Sequence, residues 1–224
     1  MAHTDFKCNY SCVMTSDTKS PGSSRPGGRT ARNTAAVLRA TLDELGEHGY
    51  GALTAERVAT RSGVHKATVY RRWGGVDGLL SAALEWSTTH AWEPARTGEL
   101  RADLYGLAET VVRGFTDAPE RDVSAASVAA AFASPEVAAA LRVFMADRHA
   151  RAAVVVADAI DRGEVPADTD AHEVVRAAVA PVYYRLFVSR EPVTEADLRR
   201  AADLAADAAA RGAFTAGPAS SSRA

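Results

Sequence analysis

Lysine is nearly missing from this chain: only Lys7, Lys19 and Lys66 occur in 224 residues. Cysteine is scarcer still. Cys8 and Cys12 are the whole supply, four residues apart in a polar leader. That excludes a disulfide-built scaffold and fits a reducing, cytoplasmic location. The pair could close a short disulfide loop or join His3 around a metal. With no other ligand-type residues clustered nearby, no metal centre and no cofactor are expected. Aromatics make up 7% of the chain, and strand-like runs of Val, Ile, Thr and aromatics are few. No run of about 18 apolar residues occurs, so no membrane span is expected. The N-terminus lacks the charged, apolar and small-residue order of a signal peptide. There is no Gly-rich phosphate loop after a strand, no paired His on a helix and no nucleophile elbow, so no enzyme is expected. No period of 20–50 residues recurs, which excludes a solenoid.

What remains is alanine-rich and helical. Hydrophobic residues make up 47% and recur at helical spacing, which predicts an all-α fold. The net charge of −2 conceals an asymmetry. Through Trp73 there are eleven Lys and Arg against six Asp and Glu; from Gly74 onward there are fifteen against twenty-two. A basic first third suits a polyanion and the acidic remainder does not.

The informative stretch is Leu53 to Trp73, LTAERVATRSGVHKATVYRRW. Thr54 is a good N-cap, with Leu53 and Val58 placed as a hydrophobic staple around it. Ser62-Gly63 ends the first helix, because Gly takes the left-handed conformation without steric cost. A second helix runs through Lys66, Thr68, Tyr70 and Arg71 to Trp73. Two helices joined by a short Gly-containing turn form a helix-turn-helix, whose second helix can enter a major groove. Lys66 can donate to guanine O6/N7 and Ala67 can touch a thymine methyl. His65 stands beside them at the start of this helix. Arg71 and Arg72, a turn further on, suit phosphates or intramolecular ion pairs, and Trp73 suits core packing.

Around this stretch the chain reads in order. Residues 1–28 form a Ser-, Gly- and Pro-rich leader, expected to be disordered. Arg29 and Arg32 close it, either within a solvated tail or as a basic arm reaching a minor groove or phosphates. The DNA-binding domain is expected over 29–75, opening with a helix from Thr30 or Asn33 to Glu47. A linking helix is expected over 76–89, within an effector-binding and dimerisation domain of 76–213. Its further helices are predicted at 99–116, 122–132, 135–162, 169–188 with a kink at Pro181, and 194–211. Asp168 or Thr169 is the expected cap of the fourth, and Thr194 with Asp197 forms a weaker capping box for the last. A flexible tail fills 214–224.

The segment above, preceded by HGYGA and followed after two glycines by DGLL, resembles the DNA-binding domain of TetR (tetracycline-repressor-like) transcriptional regulators over about Arg32 to Ala83. The pattern Thr-x3-Val-Ala-x3-Gly-Val-x3-Thr-x-Tyr is held with its spacing intact. Tyr183 to Leu186 resembles one subgroup of the family more loosely. The resemblance implies a three-helix head on a helical ligand-binding domain. It implies a homodimer paired through the last two long helices, a palindromic double-stranded operator, and release by a small effector. It also implies phosphate contacts from Thr54, Thr68 and Tyr70. One departure is Val76, where many members carry a phosphate-binding Lys; nearby Asp77 would repel a phosphate. That departure motivates the rival reading, a helical sensor with weakened DNA binding. Candidates for an effector pocket are Trp86, His90, Tyr105, Phe115, Phe132, Phe144, Met145, His149 and Tyr183. No anion clamp is evident among them, which favours a neutral or cationic apolar ligand.

Overall fold

Apolar residues three and four apart along Val37, Leu38, Thr41, Leu42 and Leu45 give the first helix one buried stripe. In the computed structural model, which describes residues 28–89, 92–117 and 120–215, that helix is α1 (Gly28–His48). A 3₁₀ turn (Tyr50–Ala52) follows, then α2 (Ala55–Ser62), α3 (Lys66–Trp73) and α4 (Val76–Thr88). Further along come α5 (Leu100–Thr116), α6 (Glu120–Ala133), α7 (Pro135–Ala152), α8 (Val154–Asp161), α9 (Ala171–Tyr183), a π-helical segment (Tyr184–Ser189) and α10 (Glu195–Ala210). The described residues are helical with no strand beyond one isolated bridge, Thr169 to Thr215. The expected leader with Cys8 and Cys12, and most of the expected tail, lie outside the described residues.

The chain forms two compact units, one holding residues up to 91 together with 114–145, the other 92–113 and 146 onward. The first is therefore larger than the expected 29–75 head. Leu79, Leu80, Ala83 and Leu84 of α4 close its core over α1 to α3, and Ala130, Val137 and Ala140 of α6 and α7 complete it. Gly46 lets α6 come close, since a Cβ there would stand 2.9 Å from Val123 Cγ2. Trp73 packs against this core as expected, with the Arg72 guanidinium 5.1 Å over its ring.

Polar links hold the same unit. Glu44, almost fully buried on α1, accepts from Arg57 Nε at 2.6 Å and pairs with Arg61 Nε at 2.8 Å. Arg61 also grips Glu47, so two arginines of α2 are spent on α1. Asp77, in the first turn of α4, accepts from the Tyr50 hydroxyl and, through its other oxygen, from Ser134 Oγ at 2.8 Å. Ser134 also caps α7, accepting from Val137 N at 3.3 Å.

In the second unit α10 lays Ala202, Ala205, Ala206 and Ala209 against Val174, Val175, Ala178 and Val179 of α9. Small side chains on one helix and β-branched ones on the other let the two axes approach closely. Arg101 of α5 bridges Asp203 and Asp207 of α10 at 2.8 and 2.7 Å. Buried Asp103 accepts from Thr97 N and Oγ1 at 2.6 and 2.7 Å, fixing the loop before α5.

Several expectations need correction. The helix predicted over 135–162 is interrupted at Ala153, where Val156 N bonds the Ala153 carbonyl in a tightened turn. Three consecutive valines follow, and their branched side chains crowd the preceding turn. The cap of α9 is Asp170, not Asp168 or Thr169; its carboxylate accepts from His172 N and Glu173 N. Pro181 sits inside α9, and beyond it the winding opens into the π segment rather than stopping. The Pro181 ring removes one i→i−4 bond, to the Ala177 carbonyl, which lies a turn before the proline and ahead of the π segment. The segment ends at Arg190 in the left-handed region, φ 57°. Arg185 ties it to the start of α10 through Glu191 and Asp197 at 2.6 and 3.0 Å. Asp197 also completes the expected capping box with Thr194.

Gly78 lies under the Trp73 carbonyl, so close that a Cβ would overlap it. Gly78→Ala should lower stability by about 1–3 kcal/mol, read as a reduced urea midpoint. Burial, reinforced by the charges of Arg176 and His172, holds His149 below its ordinary value of 6.5. The unfolded chain therefore takes up a proton before the folded one, and stability falls as pH drops below about 6.5. His149→Gln should flatten that acid-side loss when urea midpoints at neutral and mildly acid pH are compared.

Candidate nucleic-acid interface

The turn between α2 and α3 is built from local chemistry. Thr54 caps α2, its Oγ1 accepting from Arg57 N at 3.2 Å, and the hydroxyl proton stays available to an outside acceptor. Gly63 closes α2 in the left-handed conformation, φ 68°. His65 caps α3: its Nδ1 accepts from Ala67 N at 3.3 Å. Val69 is fully buried and anchors α3 by its inner side. His65, Lys66, Ala67, Tyr70, Arg71 and Arg72 are exposed and Thr68 is half-buried. A short helix pinned by one buried valine and showing cations and hydroxyls to solvent suits insertion into a groove.

The cations of this unit fall into two groups. Arg57 and Arg61 are taken up by Glu44 and Glu47, and Lys66 pairs with Glu56. The Glu56 carboxylate is held below its usual range by Lys66 first, and the Lys66 ammonium is raised by Glu56. By contrast, among the described residues no carboxylate pairs with Arg29, Arg32, Arg71 or Arg72. Arg71, Arg72 and Thr68 line a cleft of about 440 Å³ with Thr30, Asn33, Thr34, Val64 and Trp73, and no carboxylate lines it. Arginine forks, threonine hydroxyls and an asparagine amide form a donor set suited to phosphate oxygens.

Arg29 and Arg32 are not an extended arm. They stand exposed on the first turns of α1, because helical winding begins at Gly28. That first turn carries no acidic residue. Cations there oppose the helix dipole, so their placement favours an outside anion rather than helix stability. Val76 is half-buried and packs on the core, and Asp77 is engaged by Tyr50 and Ser134. Gly75, before them, offers α4 no side-chain cap. Glu44, Glu47 and His48 come together on α1, but both carboxylates already hold guanidinium groups.

The candidate pocket residues fall in both units. Trp86, Phe115, Phe132, Phe144 and Met145 belong to the first unit, and Tyr105, His149 and Tyr183 to the second; His90 lies outside the described residues. Phe144 is buried and Trp86 packs on the core, whereas Phe132 is 90% exposed and walls no interior space in its unit. Tyr183 and Tyr184 diverge as adjacent helical residues must. Tyr183 stacks on Phe187 with ring centres 6.2 Å apart, and burial pushes its hydroxyl up to about 12. Tyr184 is 59% exposed. Sequence reasoning missed Glu56, Thr30, Asn33 and Thr34. The only signal for the last three was their hydroxyl and amide groups beside Arg29 and Arg32 at the start of the first helix.

Residues 37–83 match the family described as bacterial regulatory proteins, tetR family, and residues 94–205 match the tetracyclin repressor-like C-terminal domain. The chain belongs to the TetR family. It is therefore a DNA-binding transcriptional regulator of this family, and not an enzyme. An HTH-type transcriptional regulator of Mycobacterium bovis is 30% identical over 164 residues, 71% of this chain and 78% of that protein. The HTH-type transcriptional regulator AqdR of Rhodococcus erythropolis is 31% identical over 147 residues, 66% of this chain and 70% of its own. The crystal structure of the TetR family regulator SCO0332 matches with a TM-score of 0.63 and 29% identity, covering 79% of this chain and 97% of that one. Among the described residues no helix is long and apolar enough to cross a membrane.

The two groups of cations should respond differently to substitution. Arg71→Ala should weaken duplex binding and lower the slope of log affinity against log salt by about one, with the urea midpoint unchanged. Arg61→Ala should lower the urea midpoint, because Glu44 loses one of two guanidinium partners while remaining buried.

Proposed function

We propose that this TetR-family regulator is a homodimeric repressor, bound to a palindromic operator and released by a small apolar molecule held among its C-terminal helices. One observation carries the dimer. Tyr184, Val188 and Leu204 are 59, 66 and 63% exposed on the π segment and α10, whose other sides form the core of the second unit. Large apolar groups left in water on the last two long helices favour a second copy of the same surface. A two-fold dimer carries two copies of α3, which suits two half-sites of a palindrome.

The DNA contacts of this reading are Arg29, Arg32, Thr54, Thr68, Tyr70, Arg71 and Arg72 at phosphates, with His65, Lys66 and Ala67 at base edges. Such a protein works in the cytoplasm, on the chromosome. The effector reading leans on Tyr105, His149 and Tyr183 in the second unit, where a neutral His149 and an un-ionised Tyr183 favour an uncharged ligand. Linkage is a shift of population: a ligand that prefers one separation of the two α3 helices lowers operator affinity by that preference. The rival, a sensor with weakened DNA binding, rested on Val76 and Asp77. Asp77 accepts from Tyr50 and Ser134, which gives it a place in the fold apart from DNA while its charge remains.

Footprinting on the DNA beside the chain's own gene tests the proposal. A two-fold symmetric protected site, lost on adding a small-molecule fraction of cell extract, is the expected result. Protection without symmetry would sink the dimer reading, and protection that survives every fraction would sink effector release. Leu204→Glu should give a monomer by sedimentation and a large loss of operator affinity.

A further inference from the structure

Glu56 stands in the first turn of α2 and Lys66 opens α3. The turn between the helices brings them together: Lys66 Nζ pairs with Glu56 Oε1. The Tyr70 hydroxyl lies 3.2 and 3.4 Å from the two oxygens of the same carboxylate. Lys66 also sits 5.5 Å over the Tyr70 ring, so the three side chains form one cluster. All three are exposed, at 47, 55 and 40% for Glu56, Lys66 and Tyr70. Nothing in the core requires the arrangement, and an exposed pair of this kind opens readily.

We propose that Glu56 is a specificity-determining residue: it masks Lys66 and Tyr70 from DNA of arbitrary sequence. Both groups belong to the surface expected to meet the duplex. For either to reach a phosphate, the contact with Glu56 must break and leave a bare carboxylate beside a polyanion. That cost falls on every duplex alike. Compensation does not, because only a correctly placed guanine edge offers Lys66 two acceptors in a fixed geometry. Arg29, Arg32, Arg71 and Arg72 carry no such partner among the described residues, so sequence-independent attraction is left to them. The head thus divides its cations between a general grip and a guarded reader, and the ratio of specific to non-specific affinity rises.

A fluorescent mixed-sequence duplex longer than one dimer footprint is the probe, titrated with the full chain over a series of salt concentrations. Glu56→Gln, which keeps an acceptor for Tyr70 and removes the charge, should bind it roughly three- to tenfold tighter. The log–log salt slope should steepen by about one. Glu56→Ala should move both in the same direction, with circular dichroism showing that each variant keeps its helicity. Lys66→Ala should cost more affinity in the Glu56→Gln background than in the natural chain, because only there is Lys66 unguarded. Unchanged affinity and slope in both Glu56 variants would overturn the proposal. So would weaker binding by either, or an equal cost of Lys66→Ala in the two backgrounds.

Discussion

The first unit depends on one carboxylate. Asp77 takes a hydroxyl from Tyr50 on one oxygen and from Ser134 on the other. It thereby joins the turn after α1, the start of α4 and the cap of α7, three places far apart in sequence. The N-terminus of α4 is also where a carboxylate is electrostatically welcome. Because α3 runs directly into α4 through Gly74 and Gly75, fixing Asp77 fixes where the outer surface of α3 points. A residue that seemed to oppose DNA therefore holds the DNA-facing helix in position.

Glu44 has a similar role between α1 and α2. Two arginines of α2 converge on it, and a buried charge with two hydrogen-bonded partners is tolerable where an unpaired one is not. Arg57 and Arg61 are matched by Glu44 and Glu47, so these pairs leave the balance of +5 in the first third unchanged. What the pairing changes is where the remaining positive charge stands, not how much of it there is. Part of it stands at the first turns of α1, with Arg29 and Arg32, and part on the second half of α3, where Arg71 and Arg72 line one cleft.

Element order and helix ends were legible because their causes are local. Thr54, Gly63, the Thr194–Asp197 pair and the Ser134-Pro135 start each act within four residues, and the structure forms all of them. What escaped were the consequences of residues meeting across the chain. Glu56 reads as an ordinary surface acid until α3 folds back over it. Tyr50, Asp77 and Ser134 carry no shared pattern that spacing could reveal. The interruption at Ala153 was missed because three valines suit a buried helix by hydropathy while resisting it by shape. The pocket was the least legible feature: aromatic character alone marks Trp86 and Phe144, which pack within the first unit, and Phe132, which faces water, alike.

Gly78 has a mechanical consequence. With the Trp73 carbonyl seated on it, Gly78 leaves no room for a side chain, whereas Gly74 and Gly75 in the joint itself stand in open space. One tight contact beside two open glycines makes a pivot rather than a rigid weld. Regulation acting through this joint would swing α3 about the Gly78 contact, with Gly74 and Gly75 taking up the change of backbone angle.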